Sequence, residues 1–185
     1  MEEIFTNILD KDEVIIRTFK PNKAKLFLSS ILLTFFVLIW IVATPLIGML
    51  SSGVNVQIIV PITLLALAFI LVVALLFTSI YYSNLYYAYT NKRLIIRTGV
   101  FGVDYKSLDM AMIGAINVYV SLLDKLLKKN TGSITFGSMA SPMVSSSNGG
   151  VSNYKFAHIV APYDSYREIK NIIEDYKESK NKKAF

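Results

Sequence analysis

The sequence predicts a membrane protein: a two-helix transmembrane hairpin followed by a small α+β domain closed by a C-terminal helix. Three observations carry that reading. Residues 26–82 form a run of 57 positions without Asp, Glu, Lys, Arg or His. From residue 83 onward, short alternating segments punctuated by turn residues show the pattern of strands rather than helices. The chain then closes on a stretch at 165–176 whose apolar residues recur at helical spacing.

The apolar run divides at S-S-G-V-N (51–55) into halves 26–50 and 56–82. Each half exceeds the roughly 20 residues that an α-helix needs to cross a ~30 Å hydrocarbon core. Leu, Ile, Val and Phe fill 12 of 19 positions in 31–49 and 13 of 19 in 62–80. At about −0.3 to −0.6 kcal/mol per such residue, each half favours insertion by roughly 4–8 kcal/mol before its polar residues are counted. The competing reading, two buried helices of a soluble core, fails on size. A chain of 185 residues cannot wrap two helices that are apolar all round. A cleaved signal peptide fails too, because 25 residues with five acids precede the run and a second apolar span follows.

Pro45, Gly48 and Pro61 flank the turn, where water meets the backbone groups that proline frees. Polar side chains inside the run include Thr34, Thr44, Thr63, Thr78 and Ser79. Thr44 and Gly48 form one small-xxx-small pair of the kind used for close helix packing. No ionisable residue lies at membrane depth, which argues against an ion pump or carrier. Lys20, Lys23 and Lys25 precede the run, Lys92 and Arg93 follow it, and 51–55 carries no charge. The positive-inside rule therefore places both termini in the cytoplasm, at the inner (plasma) membrane. Tyr81, Tyr82, Tyr86 and Tyr87 at the inner exit suit an aromatic belt.

The net charge of +6 is unevenly placed. Residues 1–25 balance five acids with five bases, whereas 83–185 hold fourteen bases against eight acids. A basic domain beside an anionic leaflet accounts for this more simply than nucleic acid does. The absence of cysteine excludes disulfides, thiolate metal sites and Cys nucleophiles.

Taken in order, Ile4, Phe5, Ile8 and Leu9 predict a short amphipathic helix within 1–10, and 14–19 a strand that must join the later sheet. Strands follow at 84–90 and 93–98 around the turn Asn91-Lys92, with Leu94, Ile96 and Thr98 on one face and Arg93, Ile95 and Arg97 on the other. Gly99-Val100-Phe101-Gly102 is the next turn, then strands are expected at 103–108 and 116–120. A short helix at 121–129, strands at 132–137 and 154–160, and a long Ser-rich loop at 139–153 come next. Ser165 and Glu168 form a capping-box pattern that opens the final helix. The expected organisation is a cytoplasmic segment (1–25), the hairpin (26–82), a domain (83–176) and a fraying basic tail (177–185).

Three stretches carry a resemblance: Y-A-Y-T-N-K-R-L-I-I-R-T-G at 87–99, S-L-D-M-A-M-I-G-A-I at 107–116, and the F-x-x-I-x-x-P spacing of Phe156, Ile159 and Pro162. With the strand around 132–136 and the hairpin before it, the chain resembles the bacterial pleckstrin-homology (PH)-like domain family in its membrane-anchored form. The resemblance implies a bent seven-stranded antiparallel sheet capped by the C-terminal helix. It departs from the family in lacking a Pro within 108–116 and in its long loop at 139–153.

Candidate chemistry is sparse. His158, the single histidine, lies in a strand with no Ser–His–Asp spacing around it. Asp104 and Asp109 are explained as strand polar-face residues, and Gly149-Gly150 lacks the strand–loop–helix setting of a phosphate loop. Lys92, Arg93 and Arg97 are the candidate contacts to an anionic surface, at about 1 kcal/mol per base. They lack the K/R-x-R spacing of phosphoinositide-binding PH domains.

The expected function is a membrane-anchored, non-catalytic binding or scaffolding module that presents the domain to a protein partner or to a second copy of itself. The alternatives are an accessory subunit of an export or resistance complex, and a sensor of anionic lipid. No cofactor, metal or nucleic acid is expected, and the lipid bilayer is the one defined partner. The flanking charges make the sidedness testable. A cysteine introduced at Asn55 should react with an impermeant thiol reagent on intact cells and one at Ser146 should not; the reverse pattern would invert the assignment.

Overall fold

The computed structural model describes residues 4–51, 56–126, 130–139 and 154–183. The Ser-rich loop expected at 139–153 falls outside these beyond Met139, as do 127–129 of the expected short helix. The chain forms two units: Lys23–Ser83, and a globular unit that joins Met1–Asn22 to Asn84–Phe185. The segment set apart as 1–25 thus contributes its first 22 residues to the globular unit.

Where the α-helix is expected, the described residues make a 3-10 turn at Thr6–Ile8 with no side-chain cap. Its apolar face is nonetheless used. Phe5 is fully buried against Ala88 and Ile95, with Ile4, Ile8 and Leu9 packed around them. Without a cap, a segment this short gains too little from intrahelical bonds to offset helix nucleation.

The first sheet has the order β1-β2-β3-β4: Ile15–Phe19, Tyr86–Thr90, Arg93–Thr98 and Asp104–Asp109. The second has the order β5-β6-β7: Ile113–Tyr119, Thr131–Ser138 and Tyr154–Val160. All pairings are antiparallel. The described strands number seven, but they form a four-stranded and a three-stranded sheet rather than one ladder, with a 3-10 turn at Met110–Met112 between β4 and β5. β1 joins the sheet by pairing with β2, Phe19 opposite Tyr87 and Thr18 opposite Ala88, although the whole apolar run lies between them in sequence.

Aromatic rings join the two sheets. Tyr87 stacks on Phe156 at 4.8 Å, Phe136 meets Phe156 edge-on at 5.0 Å, and Phe19 lies 5.9 Å from the same ring. Leu94 and Ile96 are buried, and so is Ile95 on the opposite face of β3, beneath the N-terminal segment. Both faces of this strand are therefore core, which is why L-I-I is a continuous apolar run rather than an alternation.

A short helix, α3, covers Leu122–Leu126, and the final helix, α4, runs Pro162–Lys183, starting three residues before the predicted capping box and passing the expected boundary at 176. Pro162 suits the first helical position because its missing N–H would be unsatisfied there anyway. Ser165 lies inside the helix, its N–H donating to the Ala161 carbonyl at 3.1 Å. Lys177 Nζ donates to the Ile113 carbonyl at 2.7 Å, so the supposed tail is docked at that point. Gly132 is required by close approach: a Cβ there would sit 2.9 Å from the Pro162 ring and 3.0 Å from the Tyr119 carbonyl oxygen.

The other unit holds α1 (Lys23–Ser51) and α2 (Val56–Asn84), 29 residues each. Both are long and apolar enough to cross a membrane. Thr78 donates to the Ala74 carbonyl at 2.8 Å, so in the 2.6 Å contact between Ser30 and Thr78 the serine is the donor across the helix pair. Phe27 meets Tyr82 edge-on at 6.4 Å, with Lys23 Nζ 5.7 Å and 6.0 Å from the two rings. A Cβ at Gly48 would meet nothing within 4 Å. The small-residue pair suggested for helix packing is therefore not used by Gly48 among the described residues.

Phe156 touches three rings from three other strands, so truncating it empties the centre of the core. Phe156→Ala should cost about 3–5 kcal/mol, read as a lowered unfolding midpoint of the globular unit in the full-length chain. Phe156→Leu should cost clearly less.

Candidate functional site

The three candidate cations do not form one cluster. Lys92 and Arg93 lie at the β2–β3 turn, whereas Arg97 sits four residues along β3 opposite Tyr86, about 13 Å away at strand rise.

The turn end is a clasp on the N-terminal segment. Thr90 organises the turn, its hydroxyl accepting from the N–H groups of Lys92 at 3.1 Å and Arg93 at 3.0 Å. That hydroxyl in turn donates to Glu13 at 2.7 Å. Asn91 accepts from the Val14 N–H at 3.0 Å and donates to the Asp12 carbonyl at 3.1 Å. Arg93 grips Glu13 with two nitrogens, at 2.9 Å and 2.8 Å, and also reaches the Ile8 carbonyl at 2.7 Å. The Glu13 side chain is wholly buried and that of Arg93 is 22% exposed. Lys92 stands at the surface, 4.0 Å from Asp10.

Burial alone would raise the Glu13 carboxyl. Hydrogen bonds from Arg93, the Asp10 amide and Thr90, together with the Arg93 charge, outweigh it and hold the group below its usual value. The hydrogen bond to Glu13 correspondingly raises Arg93 above an already high value. Arg93 is therefore committed to an internal partner through bidentate geometry.

Arg97 lies in different surroundings. Its guanidinium is 5.6 Å from the Tyr86 ring, and its Nε is buried without a hydrogen-bond partner. Lys20 approaches the same ring, 4.4 Å from the centroid, and donates to the Tyr86 hydroxyl at 3.0 Å.

A second polar link joins the ends of the chain. Glu168 on α4 accepts from Arg17 on β1 and from the hydroxyl of Tyr89 on β2. Burial, followed by that bond to a carboxylate, raises the Tyr89 phenol well above its usual range. The glutamate read from sequence as half of a capping box is a tertiary latch.

His158 sits with φ of 54° where the β6–β7 register shifts, and its carbonyl accepts from the Asn22 N–H at 2.7 Å. Asp104 and Asp109 occupy opposite ends of β4, about 17 Å apart, and form no acid–base pair. Among the described residues, no three His, Asp or Glu side chains gather as a metal site.

One concave surface is marked by none of the residues singled out from the sequence, although the PH-like resemblance implies an open sheet edge and a groove beside the C-terminal helix. Between β5 and α4 lies a groove of about 200 Å³, lined by Gly114, Ala115 and Ile116 on one side and Tyr166, Ile173 and Lys177 on the other. Its signal in the sequence is slight: small residues at 114–115 facing an amphipathic helix far along the chain.

A family model described as Bacterial PH domain matches residues 14–175. No curated protein and no solved structure gives a match.

The lowered Glu13 pKa fixes the sign of its effect on stability. Its contribution is complete above the ordinary carboxylate value of 4.5 and is lost as pH falls through the lower folded value. Glu13→Gln should cost about 2–3 kcal/mol near neutrality, below the roughly 3–5 of a fully buried pair because Arg93 keeps some water contact. In unfolding measured across pH, the gap between parent and variant should begin to narrow only below the ordinary carboxylate value and close as pH falls through the lower folded value.

Proposed function

The chain belongs to the bacterial PH domain family, and from that premise we propose that it is a membrane-anchored, non-catalytic module that binds an extended segment of a protein partner. The observation that carries the reading is the edge of the second sheet. β5 has β6 on one side and no strand on the other among the described residues. Gly114, Ala115 and Asn117 are exposed along it, and α4 forms the far wall of the groove. At about 200 Å³ the groove is smaller than the roughly 300–1,000 Å³ typical of small-molecule sites. An added strand suits such a place better, its affinity coming from main-chain hydrogen bonds and its selectivity from alternate side chains. Lys177 already caps the Ile113 carbonyl, which sets where an added strand would begin.

The anchoring half of the proposal takes α1 and α2 as spans with both termini cytoplasmic. Leu65, for example, is 75% exposed within the chain, and hydrocarbon is the solvent in which such a surface is stable. Lys20 before α1, Lys25 in its first turn and the Lys23–Phe27–Tyr82 collar lie at the end expected to face the cytoplasm.

Photo-crosslinking in native membranes tests the binding site. A probe at Ala115 should capture one discrete product, a partner or a second copy, and Tyr166→Ala should reduce its yield severalfold. Products arising only from probes on the apolar helices, such as at Leu65, would instead favour an accessory subunit whose hairpin makes the contacts.

A further inference from the structure

The turn between β3 and β4 is unusual for a solvent-facing hairpin. Its tip carries Val100, Phe101 and Val103, and Phe101 is 92% exposed. The backbone holds this shape because Gly99 adopts φ of +144°, where a Cβ would sit 1.9 Å from the Gly102 oxygen. The tip is also pinned. Asn84 Nδ2 donates to the Gly99 carbonyl at 3.2 Å, and Asn84 is the last residue of α2. Tyr82, in the basic–aromatic collar, precedes Asn84 by two residues, about 3 Å of helix rise. The same end of the first sheet is where β1 leads, through Lys20, toward α1, and where Tyr86 is flanked by Lys20 and Arg97. Asp104, opposite Thr98, is the acid that faces this end from β4.

We propose that the β3–β4 tip is a lipid-inserting wedge, Phe101 foremost, that seats the globular unit on the leaflet from which α2 emerges. The proposal rests on the reading that α1 and α2 span a bilayer. Its occupant follows from chain geometry: the tip is hydrogen-bonded to the residue that ends an apolar helix, so it stays at the level where that helix meets headgroups. An aromatic side chain at that level is favoured on both membrane surfaces. Lys20 and Arg97 add weak attraction to anionic headgroups without a binding pocket. Charge and shape here give no headgroup selectivity, so the wedge orients the module rather than sensing a particular lipid.

The test uses the full chain reconstituted in bilayers whose acyl chains are brominated near the headgroup end. Bromine quenches tryptophan on contact. In the parent chain, Trp40 in α1 is the only tryptophan and should be quenched, which checks the spanning premise. In a Trp40→Phe background, Phe101→Trp should show blue-shifted, quenched emission. Leu122→Trp, at an 82% exposed position on the short helix Leu122–Leu126, should emit as in water without quenching. If Trp40 is quenched but the tryptophan at 101 is not, the wedge is wrong and the spans stand. If positions 101 and 122 are quenched alike, the unit lies on the lipid without a specific wedge and the proposal also falls. If Trp40 itself escapes quenching, the spanning reading fails and takes the wedge with it.

Discussion

The pairing of β1 with β2 is the constraint on which the rest depends. Phe19 must lie opposite Tyr87 although both apolar helices intervene. In a flexible chain, closing so long a loop costs entropy that grows with the logarithm of its length. Here the intervening residues are two helices, and the ends are held by local chemistry. Glu13, Thr90, Asn91 and Arg93 make a dense set of hydrogen bonds between the approaching segment and the turn that receives it, or within that turn. A buried carboxylate with this geometry tolerates no slip in register, because a one-residue shift would leave a charge in apolar surroundings without its partner.

The same logic governs the other end of the globular unit. Glu168 ties α4 to β1 and β2 together, and the Asn22 N–H is held by the His158 carbonyl on β7. The N-terminal segment is thus fastened to the turn of the first sheet, to the second sheet and to the closing helix. These links use polar groups at the rim while Phe156, Phe136, Tyr87 and Phe19 fill the middle. Apolar packing supplies the cohesion, and the polar links select one arrangement of the strands.

Local signals were legible wherever one residue type dominates its neighbourhood. The uncharged run announced both apolar helices, Asn91-Lys92 marked the β2–β3 turn, and β3 begins and ends where its alternation suggested. What stayed hidden depended on distant partners. Arg93 looks like a surface base until Glu13, eighty positions earlier, is placed beside it. Ser165 and Glu168 match a capping box by spacing, but Pro162 can start the helix sooner, and Glu168 is then drawn to Tyr89 and Arg17. The N-terminal apolar quartet has helical spacing, yet among the described residues a 3-10 turn at Thr6–Ile8 packs the same side chains against Ala88 and Ile95. Periodicity reports which residues face a core and leaves open the backbone that brings them there.

The T-N-K-R stretch that most clearly carries the family resemblance has a structural explanation. Threonine braces the turn, asparagine holds residues 12 and 14, and arginine neutralises a buried glutamate. Each of these acts at the end of the first sheet opposite Arg97 and Asn84, so the motif holds the N-terminal segment to the β2–β3 turn. Other surfaces are shaped by less conspicuous residues. Small side chains on β5 open a groove because nothing fills the space in front of them, and an apolar turn tip persists because Gly99 supplies a backbone conformation that other residues resist. Where a fold must hold a distant segment with charge, the most legible polar motif marks the joint, and the groove and the turn tip are built from residues that the joint does not use.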